Sequence, residues 1–126
     1  MTAPAPHVTS TGHAQVWVKV NAPVDAGIAH LVAILNRIDG LYTLDSCEGI
    51  AGEKPAHVYF NYGDWLQIGD LMFNRIGPAL FDRFGSEATV SVEVFNGSDP
   101  MGKLAFDKEA TNAVAYFLEH LLHERP

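Results

Sequence analysis

The 126-residue sequence contains a single cysteine, Cys47, so no intramolecular disulfide can brace the fold. Stability must come from a hydrophobic core, and at this length one domain that buries roughly two-thirds of its unfolded surface is expected. With 48% hydrophobic and 18% charged residues the chain is not disordered in composition. No apolar run approaches the ~20 residues that cross a bilayer. The stretch Met1 to Gly12 has neither a basic start nor a hydrophobic centre, so the expected location is cytoplasmic, and a lone thiol fits a reducing compartment. Cations are scarce. Eight Lys and Arg face fifteen Asp and Glu, for a formal charge of −7, and the eight are scattered along the chain. Phosphate-backbone affinity comes mainly from clustered cations, so nucleic acid is not an expected partner. Paired Cys or His at zinc spacing, GxGxxG and a nucleophile elbow are also missing, and Gly49-Ile50-Ala51-Gly52 lacks the Lys-Ser/Thr of a phosphate cradle. No metal site is expected.

The apolar residues that are present carry clear periods. Residues 1–13, with two prolines and four Ser/Thr, read as a flexible tail, and a single domain is expected over 14–126. Valines at every second position of Gln15 to Val20 predict a strand, and Ile28, Leu31, Val32, Leu35 and Ile38 predict a helix stopped by Gly40. Leu41–Cys47 and His57–Tyr62, the latter with Val58, Phe60 and Tyr62 on one face, predict an antiparallel pair closed by an exposed loop. Asp64 is placed as the N-cap of a helix carrying Leu66, Leu71, Phe73, Ile76, Leu80, Phe81 and Phe84, in which Gly77-Pro78 predicts a kink or a junction. Val90, Val92 and Val94 alternate with polar residues in a further strand. Asn96 to Pro100 turns the chain into a short strand at 103–106, and Asp107 opens the last helix, whose expected buried stripe is Val114, Phe117, Leu118, Leu121 and Leu122. Alternating strands bury one face, so the expected fold is α+β: a two-layer sandwich of βαββαββα order, mostly antiparallel, with helices on one face and a ferredoxin-like beginning.

The best site candidate is the corner where the second strand ends. Simple alternation puts Thr43, Asp45 and Cys47 on one face and Tyr42, Leu44 and Ser46 on the other. A carboxylate beside a thiol disfavours the thiolate, so a nucleophilic Cys47 would need a cation such as Lys54 or protonated His57 over it. Glu48-Gly49 suits a polar metabolite, with glycine freeing the backbone and Glu48 offering an acceptor. Glu48 is read as a surface residue whose loss changes stability by no more than about 0.5 kcal/mol. Asp45, Cys47, Glu48 and His57 are of metal-ligand type but lack ligand spacing. His120 and His123 read as helix-end electrostatics and His30 as a boundary residue. Trp17, Lys19, His57, Tyr59 and Asn61 are expected on an uncovered sheet face, where aromatics suit a dimer interface, a stacking platform or cover by the tail.

The run Tyr42-Thr43-Leu44-Asp45-Ser46-Cys47-Glu48-Gly49-Ile50, followed by the strand Ala56 to Tyr62, resembles the Ser-Cys-Ser-Gly-Arg corner of the wybutosine-pathway tRNA methyltransferase family. The shared core is Tyr-Thr-x-x-Ser-Cys-x-Gly, within about twenty residues. The resemblance implies S-adenosylmethionine chemistry, with Ser46, Cys47 and Gly49 in the pocket region. Glu48 stands where the family has serine and Ile50 where it has the arginine, which removes a cation that tRNA would use. The leading expectation is therefore a protein that binds a small polar or nucleotide-like ligand through Asp45, Ser46, Cys47, Glu48, Gly49, His57 and Tyr59. An S-adenosylmethionine-dependent methyltransferase and a homodimeric interaction module without catalysis are the alternatives.

Overall fold

A computed structural model describes residues 7–8, 14–17, 23–94 and 99–123, and the side chains of 25–94 and 99–123. Three short strands, β1 (His7–Val8), β2 (Ala14–Trp17) and β3 (Pro23–Asp25), form one antiparallel sheet, and a 3₁₀ turn at Ala26–Ile28 leads into α1 (Ala29–Asn36). The main sheet holds β4 (Leu41–Cys47), β5 (Ala56–Tyr62), β6 (Ala88–Glu93) and β7 (Met101–Phe106). Between its two hairpins runs one helical rod: α2 (Trp65–Gly69), a π-helical stretch (Asp70–Ile76) and α3 (Gly77–Phe84). A 3₁₀ turn at Lys108–Ala110 and α4 (Thr111–His123) follow. The fold is α+β.

The main sheet is antiparallel throughout, with spatial order β4-β5-β7-β6. β5 and β6 therefore run parallel with β7 between them, joined across the helix layer by the rod. This corrects the ferredoxin-like beginning. β2 does not enter the main sheet; it pairs with β1 and β3, so Trp17 does not share a sheet with Tyr59. Period-2 patterning identifies a strand but not its neighbour. Within 1–13 only His7 and Val8 are described, paired with Gln15 and Ala14. Residues 18–20, Lys19 among them, and the turn residues Asn96 to Ser98 lie outside the described residues.

The core lies between the sheet and the helices. Val58, Phe60 and Leu104 are fully buried against Ile28, Leu31, Val32, Leu35, Ile68, Met72, Ile76, Val114 and Leu118, so every helix contributes to one face of the sheet. Asp64 caps α2 as expected: its Oδ1 accepts from the Gln67 N–H at 3.0 Å, and its own N–H donates to Gln67 Oε1 at 3.0 Å. Pro78 neither breaks nor strands the rod. It sits in the first turn of α3, after a π-register stretch in which the Gly77 N–H reaches Met72. A Cβ on Gly77 would lie 2.5 Å from the Met72 carbonyl oxygen and 3.0 Å from Val90, so glycine lets the rod approach β6. Asp107 stands at the N-cap position of the last helical segment but makes no side-chain cap bond.

Candidate functional site

β4 is not a regular strand. It pairs Leu41, Tyr42 and Thr43 with Tyr62, Asn61 and Phe60, then slips by one residue, so Asp45, Ser46 and Cys47 face Tyr59, Val58 and His57. Leu44 is the extra residue of a β-bulge, half exposed at the kink. Residues opposite each other in an antiparallel pair share a face. Thr43 therefore lies on the helix side with Phe60, which corrects its grouping with Asp45 and Cys47. Asn36 of α1 holds it there: Asn36 Nδ2 donates to Thr43 Oγ1 at 2.8 Å, and the Thr43 N–H donates to Asn36 Oδ1 at 3.2 Å.

Beyond the bulge the strand delivers Asp45 and Cys47 to the helix-free face, beside His57 and Tyr59. Ser46, opposite buried Val58, points to the helix side. His57 is mostly covered, at 19% side-chain exposure against 72% for Asp45, and its Nε2 lies 3.7 Å from Asp45 Oδ2. The imidazole meets the Tyr59 ring edge-on at 5.4 Å between centroids. Sequence reasoning missed a fifth member. Lys103 of β7 pairs with Tyr59 and holds its Nζ 5.2 Å from the phenol ring centroid, a cation–π contact. Alternation along β7 was enough to put Lys103 on the wet face, but nothing short of the strand order placed it beside Tyr59. His57 and Asp45 are too far apart for a direct hydrogen bond, which leaves both able to bond a third group.

Glu48 and Gly49 belong to a different construction. The chain leaves the sheet after Cys47, and the Glu48 side chain turns back to accept the Gly27 N–H on Oε2 at 2.9 Å, with Lys108 Nζ 3.8 Å from Oε1. The Glu48 N–H donates to Asp25 Oδ2 at 3.1 Å, and Lys108 Nζ donates to the Gly49 carbonyl at 3.3 Å. A Cβ on Gly27 would collide with the Glu48 carboxylate. Gly49 is buried at φ +72°, where a Cβ would lie 2.6 Å from the Lys54 carbonyl oxygen and 2.7 Å from the Ala56 nitrogen. The corner thus knots β3, the start of α1 and the start of the last helical segment together. Its Glu48 is a tether with 15% side-chain exposure, not the surface acid read from the sequence.

Next to this knot is a polar recess of about 320 Å³, lined by Ile50, Lys54, Pro55, Asp107, Lys108 and Glu109 among others, and Cys47 is not part of its wall. Lys54 bridges back to Ile50 across the exposed loop. His30 is exposed and packs edge-on against Tyr116 at 5.8 Å. His123 Nε2 lies 2.9 Å from the Ile34 carbonyl oxygen, so its N–H form fastens α4 to α1. Among the described residues no group of three His, Cys, Asp or Glu could hold a metal ion, and no helix is long and apolar enough to cross a membrane. No family model matches the chain, and comparison with curated proteins and with solved structures returned no match.

Proposed function

We propose that the helix-free face of the main sheet binds a small polar, nucleotide-like ligand at Asp45, Cys47, His57 and Tyr59. The observation that carries this reading is the slipped register of β4 on β5, which lines up an acid, a thiol, an imidazole and a phenol on the face of the sheet turned away from the helices among the described residues. Two rings and one cation there suit a ligand with both a flat heterocycle and a negative group. A base stacking on Tyr59 displaces the Lys103 ammonium from the ring, which leaves it to meet a phosphate or carboxylate. Asp45 and His57 supply an acceptor and a donor for the heterocycle edge. Glu48 acts indirectly in this scheme, holding the end of β4 through Gly27 and Lys108.

A panel of nucleoside monophosphates and S-adenosylmethionine, titrated while backbone amide resonances are followed, tests the reading. Saturable shifts at Asp45, Cys47, His57, Tyr59 and Lys103 are expected. Tyr59→Ala should then weaken binding by about 5- to 150-fold, as loss of ~1–3 kcal/mol of stacking requires. No shift at this face with any member at millimolar concentration overturns the proposal, and with it the methyltransferase alternative.

A further inference from the structure

The two edges of the main sheet are defended differently. On β4 the bulge at Leu44 breaks the ladder and the acid Asp45 follows it, two of the devices that keep an edge from pairing with a second chain. On β6 all six residues stay in unbroken register with β7, with no bulge, no proline and no lysine, its one charged residue, Glu93, stands at the very end of the strand, and among the described residues no strand covers its outer side. A groove of about 540 Å³ lies between the helical rod and the first half of β6, walled by Met72, Phe73, Pro78, Phe81, Ala88 and Val90 and others. Phe73 is 55% exposed and Phe81 70% exposed beside it.

We propose that β6 is the interface of a homodimer, in which a second copy pairs antiparallel through its own β6 and continues the sheet across a two-fold axis. An unpaired row of N–H and C=O groups calls for another strand, and the apolar groove beside it says what that strand must bring. A two-fold perpendicular to the sheet keeps both helix layers on the same side, so the α2 to α3 rods meet and the Phe73 and Phe81 pairs cover one another. Opposite residues of an antiparallel pair share a face, so the axis must fall on a residue and not between two. Centred on Ser91, it sets Val90 against Val92 and Glu93 against Thr89, and no carboxylate faces another.

The footprint is adequate. A six-residue strand is about 20 Å long, and one sheet layer plus one helix layer is roughly 20 Å deep. That is about 400 Å² in projection and more in accessible area, close to the ~600–1,000 Å² per partner of standard interfaces. The two phenyl groups alone offer on the order of 250 Å² per copy, taking about 200 Å² for a free ring. This dimer is separate from the ligand face, which remains open on the other side of the sheet.

Sedimentation equilibrium across micromolar to millimolar concentration tests it. The expected result is a reversible dimer of the 13.7 kDa chain, weakened tenfold or more by Phe81→Asp and unchanged by Tyr42→Asp, which alters an exposed residue of the β4 edge. An amide dilution series on the unaltered protein provides a readout independent of any variant's folding. Shifts should be confined to residues 73–94 and absent at Tyr42, His57 and Tyr59. A monomer throughout overturns the proposal and leaves the edge to a strand from some other protein. A dimer that shifts His57 and Tyr59 and leaves β6 unmoved overturns it in favour of the open sheet face.

Discussion

The β4–β5 and β6–β7 hairpins occupy the same sheet and have the same antiparallel pairing, yet they are built on opposite principles. β4–β5 is irregular: a bulge at Leu44 with Asn36 holding Thr43 before it, a left-handed glycine at Gly49, and an end tied down by side chains from Asp25 and Lys108. β6–β7 is regular: six pairs in constant register, with Gly102 opening room for the Phe60 ring, which would stand 2.7 Å from a Cβ there. The irregular hairpin aims particular side chains at particular places. The regular one keeps its backbone repeat intact to its outer edge. A bulge re-aims residues and ends pairing, so the hairpin that has one gains redirected side chains and a closed edge. The hairpin without one keeps a pairing edge.

The contrast can be broken most forcibly by deletion. Removing Ser91 from the regular hairpin should cost roughly 3–5 kcal/mol, because a one-residue slip sends Val92 to the wet face and the Glu93 carboxylate toward the core; chemical denaturation measures it. Gly49→Ala should cost about 2–4 kcal/mol by the same measurement, combining positive-φ strain with the clash against the loop backbone. Glu48→Ala should lose about 1–3 kcal/mol, since it strips the Gly27 N–H of its acceptor. A loss below 0.5 kcal/mol would restore Glu48 to the surface role read from the sequence. Removing Leu44 should be mildest, within about 1 kcal/mol, because the pairs on either side of the bulge are already in register with β5. If the two deletions prove equally damaging, the distinction between the hairpins fails.

Much of the architecture was legible in the apolar periods. Leu31, Val32 and Leu35 on α1, Val58 and Phe60 on β5, and Val114 and Leu118 on α4 are buried where spacing put them. Asp64 caps its helix through the Gln67 box three residues on, a purely local signal. The pair Asp45 and Cys47 was placed on one face correctly, and His57 and Tyr59 on the side of β5 opposite buried Val58 and Phe60. Thr43 was misplaced because alternation assumes an unbroken strand, and nothing in Leu41 to Cys47 marks Leu44 as the residue left out of the ladder. Glu48 was misread because its acceptor role depends on Gly27, twenty-one residues earlier, and on Lys108, sixty residues later.

Local chemistry therefore settled which of the longer segments are helix or strand, though not the short strands β1 and β3, and which of their residues are apolar enough to be buried, since those properties depend on neighbours one to four residues away. Folding settled the rest: that β2 joins a small sheet of its own, that β7 inserts between β5 and β6, that Lys103 meets Tyr59 and that Glu48 meets Gly27. Those outcomes turn on which distant edges and faces find one another. Residue spacing along a chain carries no record of such pairings until the core has closed around them.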